Sequence, residues 1–180
     1  NPSAETLNPN NEWTFAVLDP LFIYFKNLVT NYSSQYNLIG FSAGGQLAHR
    51  TFIFNNSSFC DKTIAMSSGW YTTIDENLDF PYGLKQSPFN NSNLATIFSK
   101  ELIIIIGEDD NDPNAPSLRR NSVVDLQGDN RFDRAEYFFS NANNLAVQEN
   151  HYFNWQKFVV PNAAHDLSPI ANFAVDLLYQ

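Results

Sequence analysis

This sequence is short of cysteine, of positive charge and of long apolar runs, and each shortage excludes a class of protein. One cysteine, Cys60, among 180 residues cannot form an internal disulfide framework, and it reads as a structural thiol. Ten lysines and arginines stand against nineteen acidic residues, for a net charge of −9 at pH 7. That balance argues against nucleic acid and anionic membrane surfaces as partners. No apolar run approaches the length of about eighteen residues that would suggest a membrane span. The three histidines, His49, His151 and His165, have no second histidine or cysteine at ligand spacing, so no zinc site is expected. A P-loop and a dinucleotide fingerprint are also missing, and no cofactor is expected. No charged-then-apolar leader opens the chain, which leaves a soluble cytoplasmic protein and one secreted after processing both open. Sequons fall at Asn31, Asn55, Asn56 and Asn90, as chance allows in so asparagine-rich a sequence, and no glycosylation is read from them.

What is present is Leu38-Ile39-Gly40-Phe41-Ser42-Ala43-Gly44-Gly45, a G-x-S-x-G sequence between an apolar strand and a helical run. Tyr36 to Ile39 read as strand, and Leu47, Ala48, Thr51 and Phe52 fall on one helical face. Glycines at 40 and 44 suit a turn so sharp that side chains there would clash, leaving the Ser42 hydroxyl exposed at the start of a helix. A serine needs a base to take its proton and an acid to orient that base. Leu102 to Ile106 is a continuous apolar run, the pattern of a parallel strand buried on both faces. It ends in Gly107-Glu108-Asp109-Asp110-Asn111-Asp112-Pro113, which puts carboxylates just past the strand. Phe158-Val159-Val160-Pro161 reads as a last strand, with His165 in the loop after it. Three chemical groups thus follow three strands, where open α/β sheets collect their sites. Their order, Ser then Asp then His, is that of the α/β-hydrolases. Asp110, Asp112 and Asn114 also match early EF-hand positions. Ala115 and Asn121 stand where that loop needs Gly and Glu, so no calcium site is read.

Several segments together carry a closer likeness. They are Glu12-Trp13-Thr14-Phe15 with Pro20-Leu21-Phe22, the Gly40–Gly44 elbow, Ser68-Gly69-Trp70-Tyr71 and Phe80-Pro81-Tyr82-Gly83-Leu84. To these are added the Gly107–Pro113 loop, Leu118-Arg119-Arg120, Gln127-Gly128-x-Asn130-Arg131, Phe153-Asn154-Trp155 and Val160-Pro161-x-x-x-His165. As a set they resemble bacterial α/β-hydrolases described as esterases or poly(3-hydroxybutyrate) depolymerase-like enzymes, over nearly the whole chain. The resemblance implies a parallel sheet flanked by helices and a serine hydrolase acting on carboxylic esters. It also implies an acid three residues past the glycine that closes its strand, which selects Asp110, with Asp112 as the alternative. Ala43 N–H is the expected oxyanion donor, and Trp70, Tyr71, Phe80 and Tyr82 are candidates for a substrate pocket. A serine peptidase or amidase fits the same residues, as does a non-catalytic module that keeps the elbow.

One departure from the family qualifies this reading. Only about forty residues precede Ser42, and most of them read as one helix instead of several strands. No His-Gly-Gly sequence offers a second oxyanion donor. The expectation is therefore one α/β-hydrolase domain over residues 1–180 that lacks the N-terminal strands. A preceding segment or second subunit would then complete the sheet and supply that donor.

The remaining pattern alternates helix and strand, with no internal repeat. A helix is predicted over 12–30, with Trp13, Ala16, Val17, Leu21, Phe25 and Leu28 inward and a kink at Pro20. Strands at 36–40 and 63–67, helices at 44–54 and 94–99, and an irregular excursion over 70–93 follow. A helix over 130–150 turns Phe132, Ala135, Phe138 or Phe139, Ala142, Leu145 and Ala146 inward. The last helix starts at Ser168-Pro169 and turns Ile170, Phe173, Ala174, Leu177 and Leu178 to one face.

Overall fold

The computed structural model describes residues 8–9, 12–55, 57–89 and 93–179. The sequons at Asn56 and Asn90 and part of the 70–93 excursion lie outside them. Four strands, β1 (Tyr36–Phe41), β2 (Cys60–Met66), β3 (Leu102–Gly107) and β4 (Trp155–Val160), form one parallel sheet in the order β1-β2-β3-β4. Five helices accompany them: α1 (Leu18–Leu28), α2 (Ala43–Phe54), α3 (Leu94–Ser99), α4 (Arg131–Gln148) and α5 (Leu167–Tyr179). None of the described helices is long and apolar enough to cross a membrane.

β-Branched residues form β3 because they fit a pleated surface covered on both sides. Every residue of β3 is buried. Leu102, Ile104 and Ile106 meet Ala48 and Phe52 of α2, Phe98 of α3, and Ala135, Phe138, Ala142 and Ala146 of α4. On the opposite face Ile103 and Ile105 join Ile64, Met66, Val160 and, from α5, Ile170 and Ala174. The predicted inward faces of the last two helices are thus found against the sheet.

Several boundaries differ from the sequence expectations. β2 and β4 each start three residues early, at Cys60 and Trp155, because polar residues such as Asp61 and Gln156 mark the emerging ends of these strands. The last helix begins at Leu167, and the Asp166 carboxylate, instead of Ser168, accepts from the second helical amide at 3.1 Å. The helix expected over 12–30 is a 3-10 turn at Thr14–Val17 followed by α1. Pro20 lies in the first turn of α1, where its missing N–H has no intrahelical acceptor to lose, so it needs no kink. The intended inward stripe also fails: Val17, Leu21, Phe25 and Leu28 are 43–63% exposed. α1 is tied to the body through its N-terminal half, with Phe22 against Tyr36 and Phe59, and Asp19 accepting from Tyr36 and Ser57.

Candidate active site

β1 ends at Phe41 and α2 begins at Ala43, so Ser42 alone makes the turn from strand to helix. It does so at φ 55° and ψ −113°, a conformation that residues with side chains seldom hold. Gly40 permits the turn, since a Cβ there would collide with the Gly44 carbonyl oxygen. The matching expectation for Gly44 does not hold, because a Cβ at that position would meet nothing within 4 Å. The second tight glycine is Gly45, where a Cβ would fall 2.5 Å from Ser68 Oγ and 2.8 Å from the Met66 carbonyl. α2 rests on the end of β2 through residue 45, whereas residue 44 faces away.

Past β3 and β4 the two loops are joined by backbone bonds. Glu108 N–H donates to the Val160 carbonyl at 3.0 Å and Asp109 N–H to the Ala163 carbonyl at 2.9 Å. Asn162 N–H donates to the Glu108 carboxylate at 3.2 Å. Gly107 allows this approach, as a Cβ there would strike the Ala163 carbonyl oxygen. The joined loops bring His165 Nδ1 to 2.8 Å from Asp110 Oδ2 and His165 Nε2 to 3.1 Å from Ser42 Oγ. A carboxylate only accepts, so Nδ1 carries the proton and Nε2 is free to accept from the serine hydroxyl. Asp110 is 4% exposed and the His165 side chain 27%, so the carboxylate is enclosed and the imidazole reachable. Phe41 stacks on the imidazole at 4.8 Å between centroids. Asp112 is not brought to the histidine; it is exposed, and its carboxylate accepts from Asn114 N–H at 2.8 Å to hold a turn. Ala43 is exposed in the first turn of α2, where amides have no intrahelical acceptor.

The four aromatic residues considered for a pocket do not share one surface. Tyr71 is fully buried and stacks on Phe138 at 4.6 Å, which makes it core. Phe80 packs edge-on against Phe54 at the far end of α2. Trp70 and Tyr82, each 8% exposed, contact one another at 5.1 Å beside Val124.

These contacts come with three polar residues to which pattern-reading gave no role at the site. His49 is fully buried behind the elbow, with Nδ1 2.9 Å from the Gly45 carbonyl and Nε2 accepting from Thr72 N–H at 3.0 Å. Burial, and secondarily Arg50, lower its pKa from 6.5 to about 3, so it is a neutral cross-link. Arg134 is fully buried and donates to the Gly128, Gly69 and Arg119 carbonyls and to Asp125. Arg131 lies beside Asp110. The available signal for Arg131 was its sign: a cation in a helix's first turn opposes the helix dipole and calls for a partner.

No protein-family model and no curated protein sequence matches the chain. Among solved structures it is similar to poly(aspartic acid) hydrolase-1 from Sphingomonas sp. KT-1, at 31% identity and a TM-score of 0.92 over 96% of this chain. The chain belongs to the α/β-hydrolase superfamily. A second α/β-hydrolase-fold neighbour is LpqC, a poly(3-hydroxybutyrate) depolymerase from Bordetella parapertussis, at 26% identity and a TM-score of 0.90 over 97% of this chain. The chain spans 66% of the first neighbour's length and 59% of the second's.

Proposed function

We propose that this protein is a serine hydrolase of carboxylic esters, working through an acyl-Ser42 intermediate. The observation that carries the reading is the line from Asp110 Oδ2 through His165 to Ser42 Oγ, with contacts of 2.8 and 3.1 Å. His165 Nε2 takes the hydroxyl proton as Oγ bonds to the ester carbonyl carbon, and Asp110 stabilises the imidazolium. The tetrahedral oxyanion points at the Ala43 amide. The imidazolium then gives its proton to the departing alcohol, leaving acyl-Ser42. Water, deprotonated by the same histidine, releases the acid and restores the serine.

The substrate is a small or polymeric ester. One neighbour's name, poly(3-hydroxybutyrate) depolymerase, supports an ester. The other, poly(aspartic acid) hydrolase, favours a second reading in which the acyl group is held as an amide. Hydrolysis of p-nitrophenyl butyrate against butyryl p-nitroanilide separates the two, and Ser42→Ala should abolish whichever occurs. Activity surviving in that variant would overturn the reading.

β1 is one edge of the sheet among the described residues; Ile39 on it is 41% exposed, and Leu21, Ile23, Phe25 and Leu28 of α1 are exposed as well. Soluble proteins avoid leaving such an edge and face bare. The proposal therefore includes a covering strand, from further chain or a second subunit, that brings the second oxyanion donor. Without it, a loss of about 10²–10³ in kcat is expected. A binding module that keeps the elbow would show no turnover even with the edge covered.

A further inference from the structure

Arg131 begins α4, where a cation is disfavoured by the helix dipole, and it is only 2% exposed. A guanidinium remains charged, and burying it without a counter-charge is strongly unfavourable. Its Nη1 lies 3.4 Å from Asp110 Oδ1, its ion pair among the described residues. Its Nη2 lies 3.4 Å from the Pro116 carbonyl, and its Nε has no partner among the described residues. Arg134, one turn along the same helix, makes a useful contrast. Four hydrogen bonds of 2.7–3.0 Å use its whole fork to tie loops together. An arginine kept for cross-linking looks like Arg134. Arg131 spends its charge on one carboxylate and leaves part of its fork unused.

That carboxylate is the one that meets His165. Asp110 is gripped at three points: Oδ2 by His165 Nδ1 at 2.8 Å, Oδ1 by Arg131, and its main-chain carbonyl by Phe132 N–H at 3.0 Å. The last two belong to the first turn of α4. We propose that Arg131 is a positioning residue, which fixes the Asp110 carboxylate so that Oδ2 faces the imidazole and imposes the Nδ1–H tautomer on His165. A carboxylate already bonded on its outer oxygen need not reorganise when the imidazolium forms. The proposal rests on the reading of Ser42 as nucleophile and goes beyond it, since Arg131 touches no reacting atom.

The test measures kcat and KM for p-nitrophenyl butyrate with the full chain and its Arg131→Met, Arg131→Lys, Asp110→Asn and Asp110→Asn/Arg131→Met variants. Circular dichroism confirms that each is folded. If the chain turns over too slowly, the rate of Ser42 phosphonylation by a fluorophosphonate is read instead. Arg131→Met should lower kcat roughly 10–100-fold, by analogy with the cost of removing an outer partner of a metal-ligating side chain, with KM unchanged. Arg131→Lys, which keeps the charge but loses the planar fork, should recover most of that and leave a several-fold loss. Over Asp110→Asn, the Arg131→Met change should cost nothing further, because its route to the serine is gone. A full multiplicative loss in the double variant, or unchanged kcat in Arg131→Met, would overturn the proposal. If Arg131→Met does not fold, Arg131→Lys alone and over Asp110→Asn decides: its loss should vanish in the second background, and persistence overturns the proposal. Ser42→Ala is the control: activity in it sinks the underlying reading, whereas wild-type rates in Arg131 variants beside an inactive Ser42→Ala sink only this inference.

Discussion

The two sides of the sheet are built to different standards. β3 is buried at all six positions between α2, α3 and α4 on one face and α5 on the other. β1 runs along an edge, with Gly40 as its single fully buried residue. Asp110 follows the enclosed β3 and is braced by Arg131, while His165 follows β4, the other edge strand, and is joined to the Asp110 loop by backbone bonds. Ser42 stands at the end of a strand that the described chain covers on one side. In the proposed mechanism, the acid–base pair is preorganised by this chain's own packing. The position of Ser42, the proposed nucleophile, depends on β1 being held from β2, through Gly40–Ala65 and Phe41–Met66 pairing and the Ser42 N–H bond to the Met66 carbonyl at 2.9 Å.

The largest effect is expected at the acid. Asp110→Asn should lower kcat on the order of 10⁴, because the amide can impose the wrong imidazole tautomer. Asp112→Asn should lose far less, as that carboxylate holds only an exposed turn. Rates measured in the reverse order would move the acid to Asp112 and break the picture of an enclosed acid.

Packing provides a second contrast. Ile104 is fully buried in β3, and Ile104→Ala should cost about 2–5 kcal/mol in denaturant unfolding. Ile39 in β1 is 41% exposed, and Ile39→Ala should cost less than about 1 kcal/mol. Equal losses would mean that the face of β1 is covered in solution, which would locate the completing partner.

The smallest effect lies at the joint between the two sides, where His49 links α2 to the segment after β2. Its pKa is about 3 in the fold against 6.5 for an ordinary imidazole, lowered first by burial. Below pH 6.5 the unfolded chain binds a proton that the native chain refuses until about pH 3, so this contribution favours unfolding as pH falls through that window. The slope should be roughly 1 kcal/mol per pH unit. His49→Gln should flatten the acid side of the stability profile by that amount relative to wild type, and an identical profile would show that His49 ionises freely.

How much of this was legible in the sequence follows the same division. β3 could be read from its isoleucines because a doubly buried strand has nothing to alternate. The elbow could be read because Gly40 answers to backbone sterics, although the second tight glycine is Gly45 and not the Gly44 that was expected. α1 was misread because an amphipathic stripe normally marks a buried face, and here the face lies open. The start of β4 was missed because Gln156 and Lys157 interrupt its apolar run. Asp110 and Asp112 were separable by spacing and resemblance alone; what distinguishes them physically, enclosure beside Arg131 against an exposed turn, is a tertiary fact. Tyr71 looked like a pocket residue because aromatics suit pockets and cores alike.

The central claim is that Ser42 is a nucleophile activated by His165. Its most direct measurement is reaction of the full chain with a fluorophosphonate, with the modified residue mapped by mass spectrometry. The account expects a single adduct on Ser42, lost in Ser42→Ala and strongly slowed in His165→Ala. An adduct on another residue, or labelling that persists in Ser42→Ala, would contradict it.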